Sequence, residues 1–194
     1  MVPGLEAAID WSEMDHGGRV ELVRRAVSAP GEVWIDFGSG DGAFTLALAE
    51  LTGPTATLYS VDRDARALDR QRMEMARLYP GVRLFALAAD FTRPLDLPRA
   101  DGALAANALH YVKHVEETVR LLAAYLRPGG SLVVVEYEHA RANPWVPYPL
   151  PFARLREVAR AAGLPEPELV GRSPSRYHGG MYAARSVTRR PSRG

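Results

Sequence analysis

Residues 33–44 read VWIDFGSGDGAF, and this stretch decides the fold. Its apolar run, which contains one acid, Asp36, is typical of a short buried strand, and glycines follow at positions 38, 40 and 42. Glycine adopts positive φ and has no side chain, so a ligand can approach the main chain closely there. The stretch predicts a strand, a glycine turn that contacts a ligand, and the start of a helix. A tight turn with nothing bound is the alternative.

Apolar runs and amphipathic stripes alternate along the rest of the chain. The stripes predict helices over 18–29, 42–52, 63–79, 115–127 and 151–164. The runs predict strands over 32–37, 55–62, 82–90, 100–109 and 131–138, and a closing antiparallel pair, PELVGRS and MYAARSV. We therefore expect an α/β fold: a single Rossmann-like domain with a mainly parallel seven-stranded sheet, helices on both faces and a C-terminal antiparallel hairpin.

Composition limits the classes of function. The 194 residues are 47% hydrophobic and 24% charged, which is typical of a globular domain. The absence of cysteine excludes disulfides, thiolate metal sites and a cysteine nucleophile. No apolar stretch is long enough to span a membrane and no signal peptide is visible, so we expect a cytoplasmic protein without a membrane partner. A net charge of +1 disfavours a nucleic-acid partner, although arginines of the C-terminal third leave a local patch open.

Two ligands compete for the glycine turn. The run GSGDGA fits the dinucleotide fingerprint G-x-G-x-x-A, with an acid, Asp62, about 20 residues further on. However, Asp36 at the strand end and Asp41 at the helix start are unfavourable neighbours for a pyrophosphate. A carboxylate at the end of the first strand suits a cation such as an ammonium group instead.

Five segments carry a resemblance that covers residues 18–188: DFGSGDG, VDRD, AADF, ANALHYV and LRPGGSLVVVE. In this order and at these strand ends, they resemble the class I S-adenosylmethionine-dependent methyltransferases. ANALHYV and RPGG look most like the small-molecule branch, which includes the quinone-biosynthesis methyltransferases. The resemblance implies one methyltransferase domain over 1–194, with 1–17 an N-terminal extension or lid, 18–188 the core and 189–194 a disordered tail.

The resemblance implies S-adenosyl-L-methionine as cofactor and a role for each binding residue. Asp36 and the carbonyls near Gly38 and Asn107 would receive the ammonium of the cofactor. Asp62 would accept both ribose hydroxyls. The adenine would lie beside Arg63 and against Phe91, with Asp90 accepting from its amine. The expected cofactor-binding set is Asp36, Gly38, Ser39, Gly40, Asp62, Arg63, Asp90, Phe91 and Asn107.

Several of these residues have structural alternatives. Asp62 could instead cap the helix that begins near Asp64. Asp90 could initiate the turn toward Pro94, and Phe91 could belong to the core.

The implied reaction is in-line displacement at the methyl carbon, in which positioning supplies much of the rate. A base helps only if the acceptor carries a proton at neutral pH. His110 and Tyr111, on the loop after the fourth strand, are the catalytic candidates; a packed or capping role is the alternative for His110. No metal is expected.

The candidate substrate contacts are Arg19, Tyr137 and His139, and Glu136 lies in the same cleft. His16 belongs with Arg19 in a lid near the N-terminus. Tyr177 and His178 are weaker candidates.

The acceptor itself is predicted only as a class. A Pro-Pro-Tyr segment after the fourth strand is typical of nucleobase and glutamine-amide methyltransferases, and this chain has ANALH there. We therefore expect a small-molecule acceptor attacked through oxygen or carbon. An RNA or protein methyltransferase, and a non-catalytic S-adenosylmethionine-binding module, are the alternatives. A short segment after the fifth strand would leave the cleft open or closed by the partner subunit of a homodimer.

Overall fold

The computed structural model describes residues 14–27, 32–173 and 180–189. Residues 1–13 and 190–194, together with Tyr177 and His178, lie outside this range, so the expectations placed on them are not addressed. The described residues form one seven-stranded sheet in the order β3-β2-β1-β4-β5-β7-β6. The strands are β1 (Val33–Phe37), β2 (Thr57–Asp62), β3 (Arg83–Ala88), β4 (Ala100–Ala106), β5 (Leu126–Tyr137), β6 (Glu168–Ser173) and β7 (Met181–Val187).

The sheet confirms the expected topology. Neighbouring strands from β3 to β5 pair in parallel, and β7 lies antiparallel to both β5 and β6. The order reverses between β1 and β4, and ligands of open α/β sheets bind at this switch point, beyond the carboxyl ends of the strands.

Of the five α-helices that the structure describes, one precedes β1 and four connect strands, and their ends follow local chemistry. Asp15 caps the first helix, since its carboxylate accepts from the amide of Gly18 at 2.7 Å. Asp64 caps the third through the amides of Arg66 and Ala67. The helices are α1 (His16–Val23), α2 (Ala43–Thr52), α3 (Ala65–Leu78), α4 (Val115–Ala124) and α5 (Phe152–Ala161).

Each face of the sheet has its own apolar core. Trp34 and Leu58 pack on one face with side chains of α1, α2 and α3. Phe37 and Val134 pack on the other face with α4 and α5. This arrangement buries the central strands on both sides, as a parallel sheet requires.

Several element ends differ from expectation. The first helix, expected over 18–29, runs over His16–Val23 and is followed by a 3-10 turn, Arg24–Ala26, and residues 28 and 29 lie outside the described range. Three further differences lie around β4 and β5. The helix expected to end at 127 ends at Ala124, and β5 begins at Leu126 rather than at 131. Leu126 already pairs with Ala100, and the register shifts before the pairing continues at Gly102. The Pro-Gly-Gly stretch is therefore a bulge inside the strand rather than a break before it. At its other end, β4 stops at Ala106 rather than at 109.

One region of the sheet lacks a covering helix. The connection between β3 and β4, residues 89–99, contains no helix, and Phe85 and Leu87 of β3 are 52% and 38% exposed. Phe85 stacks on Tyr59 of β2 with ring centroids 5.0 Å apart. No helix in the part of the chain that the structure describes is long and apolar enough to cross a membrane.

Candidate active site

The glycine turn after β1 is held by the protein's own packing. Gly38, Gly40 and Gly42 have φ of 75°, 53° and 87°. A Cβ added to Gly38 would lie 2.5 Å from Cβ of Ala108, and one on Gly42 would lie 2.4 Å from Cγ of Gln71. A Cβ on Gly40 would meet nothing within 4 Å. Two of the three glycines are therefore required by contacts within the chain, whether or not a ligand is bound.

A cavity of about 280 Å³ opens at the carboxyl ends of β1, β2 and β4, next to this turn. This is the switch point of the sheet, where a ligand site is expected. The cavity is lined by Gly38, Asp62, Arg63, Phe91, Asn107, Ala108, Tyr111 and Val112. All but Ala108 and Val112 are residues that the sequence singled out.

Asp62 ends β2 and joins the glycine turn to the cavity. Its Oδ2 accepts from the amide of Gly40 at 2.8 Å, and its Oδ1 accepts from the amide of Asp64 at 2.9 Å. Because Asp64 is the residue that caps α3, the alternative capping role does not belong to Asp62. A carboxylate has about four acceptor positions, so two of them stay available to a ligand.

Asp90 initiates a turn and does not line the cavity. Its Oδ1 accepts from the amide and the hydroxyl of Thr92, at 3.0 and 2.7 Å. These bonds, led by the hydroxyl of Thr92 and supported by the charges of Arg63 and Arg93, lower the pKa of Asp90. The turn role left open by the sequence is therefore present. Contact with an adenine amine stays a prediction, and Arg63 lies 3.7 Å from the Asp90 carboxylate at the cavity edge.

Phe91 and Asn107 both belong to the cavity wall. Phe91 is 8% exposed and packs against Phe37 with ring centroids 6.3 Å apart, so it is both core and wall. Asn107 follows β4 with φ of 51°, a left-handed conformation that Asn tolerates better than most residues. Its Oδ1 is buried and accepts no hydrogen bond from the described residues. A buried acceptor without a donor is costly, so a ligand or a water that brings a donor to this atom would bind favourably.

Asp36 is buried below the turn and does not line the cavity. Its Oδ2 accepts from the hydroxyl of Thr45 at 2.6 Å, whereas its Oδ1 has no hydrogen-bond partner among the described residues. Burial, with a smaller contribution from the charge of Asp62, raises the pKa of Asp36 to about 7, against the lowering effect of Thr45. The carboxyl group is therefore divided between its two protonation states near neutral pH.

Sequence reasoning did not identify Gln71, although a signal was present. Gln71 is the chain's single glutamine, and it lies on the buried stripe of α3 between Leu68 and Met75. It is fully buried and bonds Ser60 on one side and Thr45 on the other, at 2.6 and 2.5 Å. A polar residue in the middle of an apolar helical stripe requires polar partners, and this was the signal that the sequence offered.

Ser39 points toward this network and not into the cavity. Its hydroxyl lies 2.7 Å from that of Ser60, and its amide donates to the carbonyl of Val61. A direct contact between the Ser39 side chain and a cofactor stays a prediction.

The two catalytic candidates occupy different environments. His110 is fully buried: its Nδ1 lies 2.7 Å from Oε2 of Glu136, and Oε1 of Glu136 accepts from the amides of Leu109 and His110. These bonds hold the 3-10 turn Leu109–Tyr111 against β5, which is the packed role that the sequence left open for His110. Tyr111 is 54% exposed and lines the cavity. Partial burial and the charge of Glu136 raise the pKa of its hydroxyl.

The remaining candidates do not line this cavity. Arg19 is half-buried on α1, and His16 at the start of that helix bonds Glu50 in the second half of α2, away from the glycine turn. Tyr137 is buried at the end of β5, and burial raises the pKa of its hydroxyl. His139 is half-buried just beyond that strand. Contact of these residues with a substrate stays a prediction. Among the described residues, no group of three potential metal ligands occurs.

Comparison with known proteins agrees with this geometry. The family model described as "Methyltransferase domain" matches residues 35–132, half of the chain. The 2-ketoarginine methyltransferase of Streptomyces arginensis is 34% identical over 134 residues, 65% of this chain and 37% of that protein. A ubiquinone/menaquinone biosynthesis C-methyltransferase of Pseudomonas aeruginosa is 27% identical over 110 residues, 56% of this chain and 43% of that protein. The chain spans less than half the length of the curated relatives it matches.

Solved structures share the fold. The 1,6-didemethyltoxoflavin-N1-methyltransferase of Burkholderia thailandensis, solved with 1,6-didemethyltoxoflavin and S-adenosylhomocysteine, superposes with a TM-score of 0.71. The two chains are 21% identical over 92% of this chain and 80% of that one. Since the family model spans β1 to β5, including the glycine turn and the cavity wall, this chain belongs to the methyltransferase domain family.

Proposed function

We propose that the chain is an S-adenosyl-L-methionine-dependent methyltransferase that transfers a methyl group to a small-molecule acceptor. One observation carries the proposal: a single cavity at the switch point joins the glycine turn to the Asp62 carboxylate and to the buried acceptor Asn107 Oδ1. Family membership and the small-molecule methyltransferases among the relatives support it.

The residues present fit this cofactor. Asn107 Oδ1 is an acceptor in need of a donor, which an ammonium group provides. Asp62 keeps acceptor positions for two ribose hydroxyls, and Phe91 with Val112 offers apolar wall to an adenine ring. Asp36 Oδ1 is buried below the turn and has no partner among the described residues, so it would be a second acceptor for the ammonium group.

The turn fits a dinucleotide poorly. A diphosphate needs free main-chain amides at the start of the helix. The amides of Gly38 and Ser39 donate to the carbonyl of Val61, that of Gly40 donates to Asp62, and that of Gly42 donates to Ser39. Internal acceptors take these four donors of the turn, although α2 begins without a side-chain cap. The carboxylate of Asp62 beside the turn disfavours an anionic ligand and favours a cationic one.

When bound, S-adenosylmethionine supplies a methyl group on a positively charged sulfur, and an acceptor oxygen or carbon takes it by in-line displacement. The chain's own part is to hold that group in line with the acceptor and to exclude water. A raised pKa keeps the Tyr111 hydroxyl protonated at neutral pH, so it acts there as a hydrogen-bond donor to the acceptor rather than as a base.

A calorimetric titration tests the proposal, with S-adenosylmethionine and NAD as alternative ligands. We expect heat of binding from the first and none from the second. Incubation with a panel of phenols, hydroxy acids and β-dicarbonyl compounds should then release S-adenosylhomocysteine. Binding of NAD alone would overturn the cofactor assignment. Cofactor binding without product from any acceptor class, nucleic acids and proteins included, would indicate a non-catalytic binding module.

A homodimer, a cytoplasmic location and the lack of a nucleic-acid partner belong to the same proposal. Sedimentation across a range of concentrations tests the first, fractionation of the source cells the second, and titration with a mixed-sequence RNA at low salt the third.

A further inference from the structure

A chain of buried hydrogen bonds runs beneath the glycine turn from Ser39 to Asp36. It passes through Ser60 of β2, Gln71 of α3 and Thr45 of α2, with donor–acceptor distances between 2.5 and 2.7 Å. Ser60, Gln71 and Thr45 are fully buried, so water does not compete for these bonds. The cavity wall does not include any of the three.

The amide of Gln71 sets the direction of every proton in this chain. Its Oε1 only accepts, so Ser60 donates to it and must accept from Ser39. Its Nε2 only donates, so Thr45 accepts from it and has its single proton left for Asp36. The bonds thus point one way, from the glycine turn through Gln71 to the carboxylate.

We propose that Gln71 is a positioning residue for cofactor binding, which aims the Thr45 hydroxyl at Asp36 and so favours the ionised form of Asp36, the acceptor for the cofactor's ammonium group. The inference rests on the proposed function, and within it on the ammonium role of Asp36. It adds a residue of α3, outside the cavity, to the groups that determine how tightly the cofactor binds.

Gln71 also packs directly against the glycine turn. The side chain fills the space where Gly42 would carry a Cβ, 2.4 Å from Cγ of Gln71. It therefore fixes the end of the glycine turn by contact while it fixes Asp36 by hydrogen bonding. Reversal of the Gln71 amide would turn Thr45 into a donor to Gln71 and would leave Asp36 without its hydrogen bond.

The groups around Asp36 make this effect measurable. Strand neighbours at Asp36 are Ser60 on β2 and Leu104 on β4, both uncharged. The helices contribute Thr45 and Gln71, and the charged group that acts on Asp36 is Asp62. The Thr45 bond lowers the pKa of Asp36, whereas burial and Asp62 raise it. Loss of the Thr45 bond would consequently raise the pH at which Asp36 ionises.

The test is the pH dependence of S-adenosylhomocysteine affinity, measured by calorimetry between about pH 5.5 and pH 9. In the wild-type protein we expect affinity to rise with pH through about pH 7, where Asp36 is half ionised, and to level off about one pH unit higher. In Gln71→Met, which keeps the size of the side chain, we expect the plateau to begin about 0.5–1 pH unit higher. Affinity at pH 7 should fall about 2- to 5-fold.

Companion variants separate this role from a general loss of structure. In Gln71→Glu the carboxylate accepts from the hydroxyls of both Ser60 and Thr45, so this variant should also shift the plateau upward. Thr45→Val removes the hydroxyl and should do the same. Thr45→Ser keeps the hydroxyl and should retain the wild-type profile. As a second ligand, 5′-methylthioadenosine lacks the ammonium group. Its affinity should stay independent of pH and equal in the wild type and in Gln71→Met. Circular dichroism and thermal unfolding establish that each variant is folded.

Each contrary result has a distinct meaning. A plateau in Gln71→Met and Gln71→Glu within about 0.2 pH unit of the wild type, with Thr45→Val shifted, would overturn the role of Gln71. Equal loss of affinity for both ligands at every pH would overturn it as well, since it would show only a damaged turn. If the wild-type protein binds neither ligand, the proposed function itself is wrong.

Discussion

At the scale of single residues, acceptors predominate next to the glycine turn, while Arg63 and Tyr111 bring donors to the cavity wall. Asp36, Asp62 and Asn107 present carboxylate and amide oxygens, while the amides of the glycine turn are consumed internally. This distribution is the reverse of a phosphate site and suits a ligand with an ammonium group and ribose hydroxyls. These acceptors, together with the four turn amides that are already bonded, favour such a ligand over an anionic one.

Asp62→Ala should weaken S-adenosylhomocysteine binding by about 1–3 kcal/mol, because buried ribose hydroxyls would lose their acceptor. Calorimetry at pH 7.5 measures the change. Asp64→Ala is the matched control: it removes the cap of α3 and should cost about 1 kcal/mol of unfolding free energy while affinity is retained. An Asp62→Ala protein with wild-type affinity would remove Asp62 from the ribose site.

Gly38→Ala and Gly40→Ala should differ although both glycines have positive φ. At Gly40 only the backbone conformation is unfavourable, so we expect a loss of about 1–2 kcal/mol in unfolding free energy and little change in cofactor affinity. At Gly38 the new methyl group meets Ala108 and Phe91 as well, so the loss should be larger by about 1–3 kcal/mol, and affinity should fall. Urea unfolding and calorimetry of both variants provide the comparison, and equal effects would contradict it.

At the scale of elements, the wall of the cavity depends on one carboxylate of β5. Glu136 is 1% exposed and joins β5 to the turn after β4 through three hydrogen bonds. That turn positions Ala108, Tyr111 and Val112 in the cavity wall. A side chain in one strand thus determines the shape of the loop that leaves its neighbour.

Glu136→Ala should lower the unfolding free energy by about 3–5 kcal/mol, since two buried amides and His110 Nδ1 lose their shared acceptor. Glu136→Gln keeps one oxygen for the amides and presents a donor to His110, which can accept in its other tautomer, so its cost should be clearly smaller. Urea unfolding at pH 7 distinguishes the two variants. A Glu136→Gln protein as unstable as Glu136→Ala would show that charge, and not hydrogen bonding, holds the turn.

The sequence predicted elements better than it predicted their ends. Strand–helix alternation and the glycine turn located the switch point, and with it Asp62, Phe91 and Asn107, because carboxyl ends of parallel strands meet at one edge. The burial of His110 depends on Glu136, 26 residues away on another strand, and no local pattern reveals that pair. The early start of β5 has the same origin, since Leu126 becomes a strand residue only by pairing with Ala100.

At the scale of the whole molecule, Asp36 makes stability depend on pH. Its pKa is about 7 in the folded protein and near 4 in an unfolded chain, so the folded state holds a proton that the unfolded state releases over this interval. Stability from this group therefore falls as pH rises from about 4 to about 7, by an amount on the order of 4 kcal/mol. Above neutral pH, an uncharged amide at position 36 should therefore give a higher unfolding free energy than the buried carboxylate does.

Asp36→Asn should therefore be more stable than the wild type at pH 8, by about 2–4 kcal/mol, and nearly equal to it at pH 4. The same variant should bind S-adenosylhomocysteine more weakly at pH 8, since it offers no negative charge to the ammonium group. Urea unfolding at both pH values measures the difference. An equal pH dependence of unfolding in the two proteins would contradict a raised pKa for Asp36.

The position of β7 has a consequence for synthesis. β6 leaves the ribosome before β7, yet it lies outside β7 and pairs with no other strand of the described sheet. While the chain is still growing, β6 has no partner and the outer edge of β5 carries unsatisfied amides and carbonyls. The sheet is therefore complete only after residues 181–187 have been synthesised. A nascent chain that pauses before them would expose the unpaired edge of β5, to which chaperones or other unfinished chains can bind.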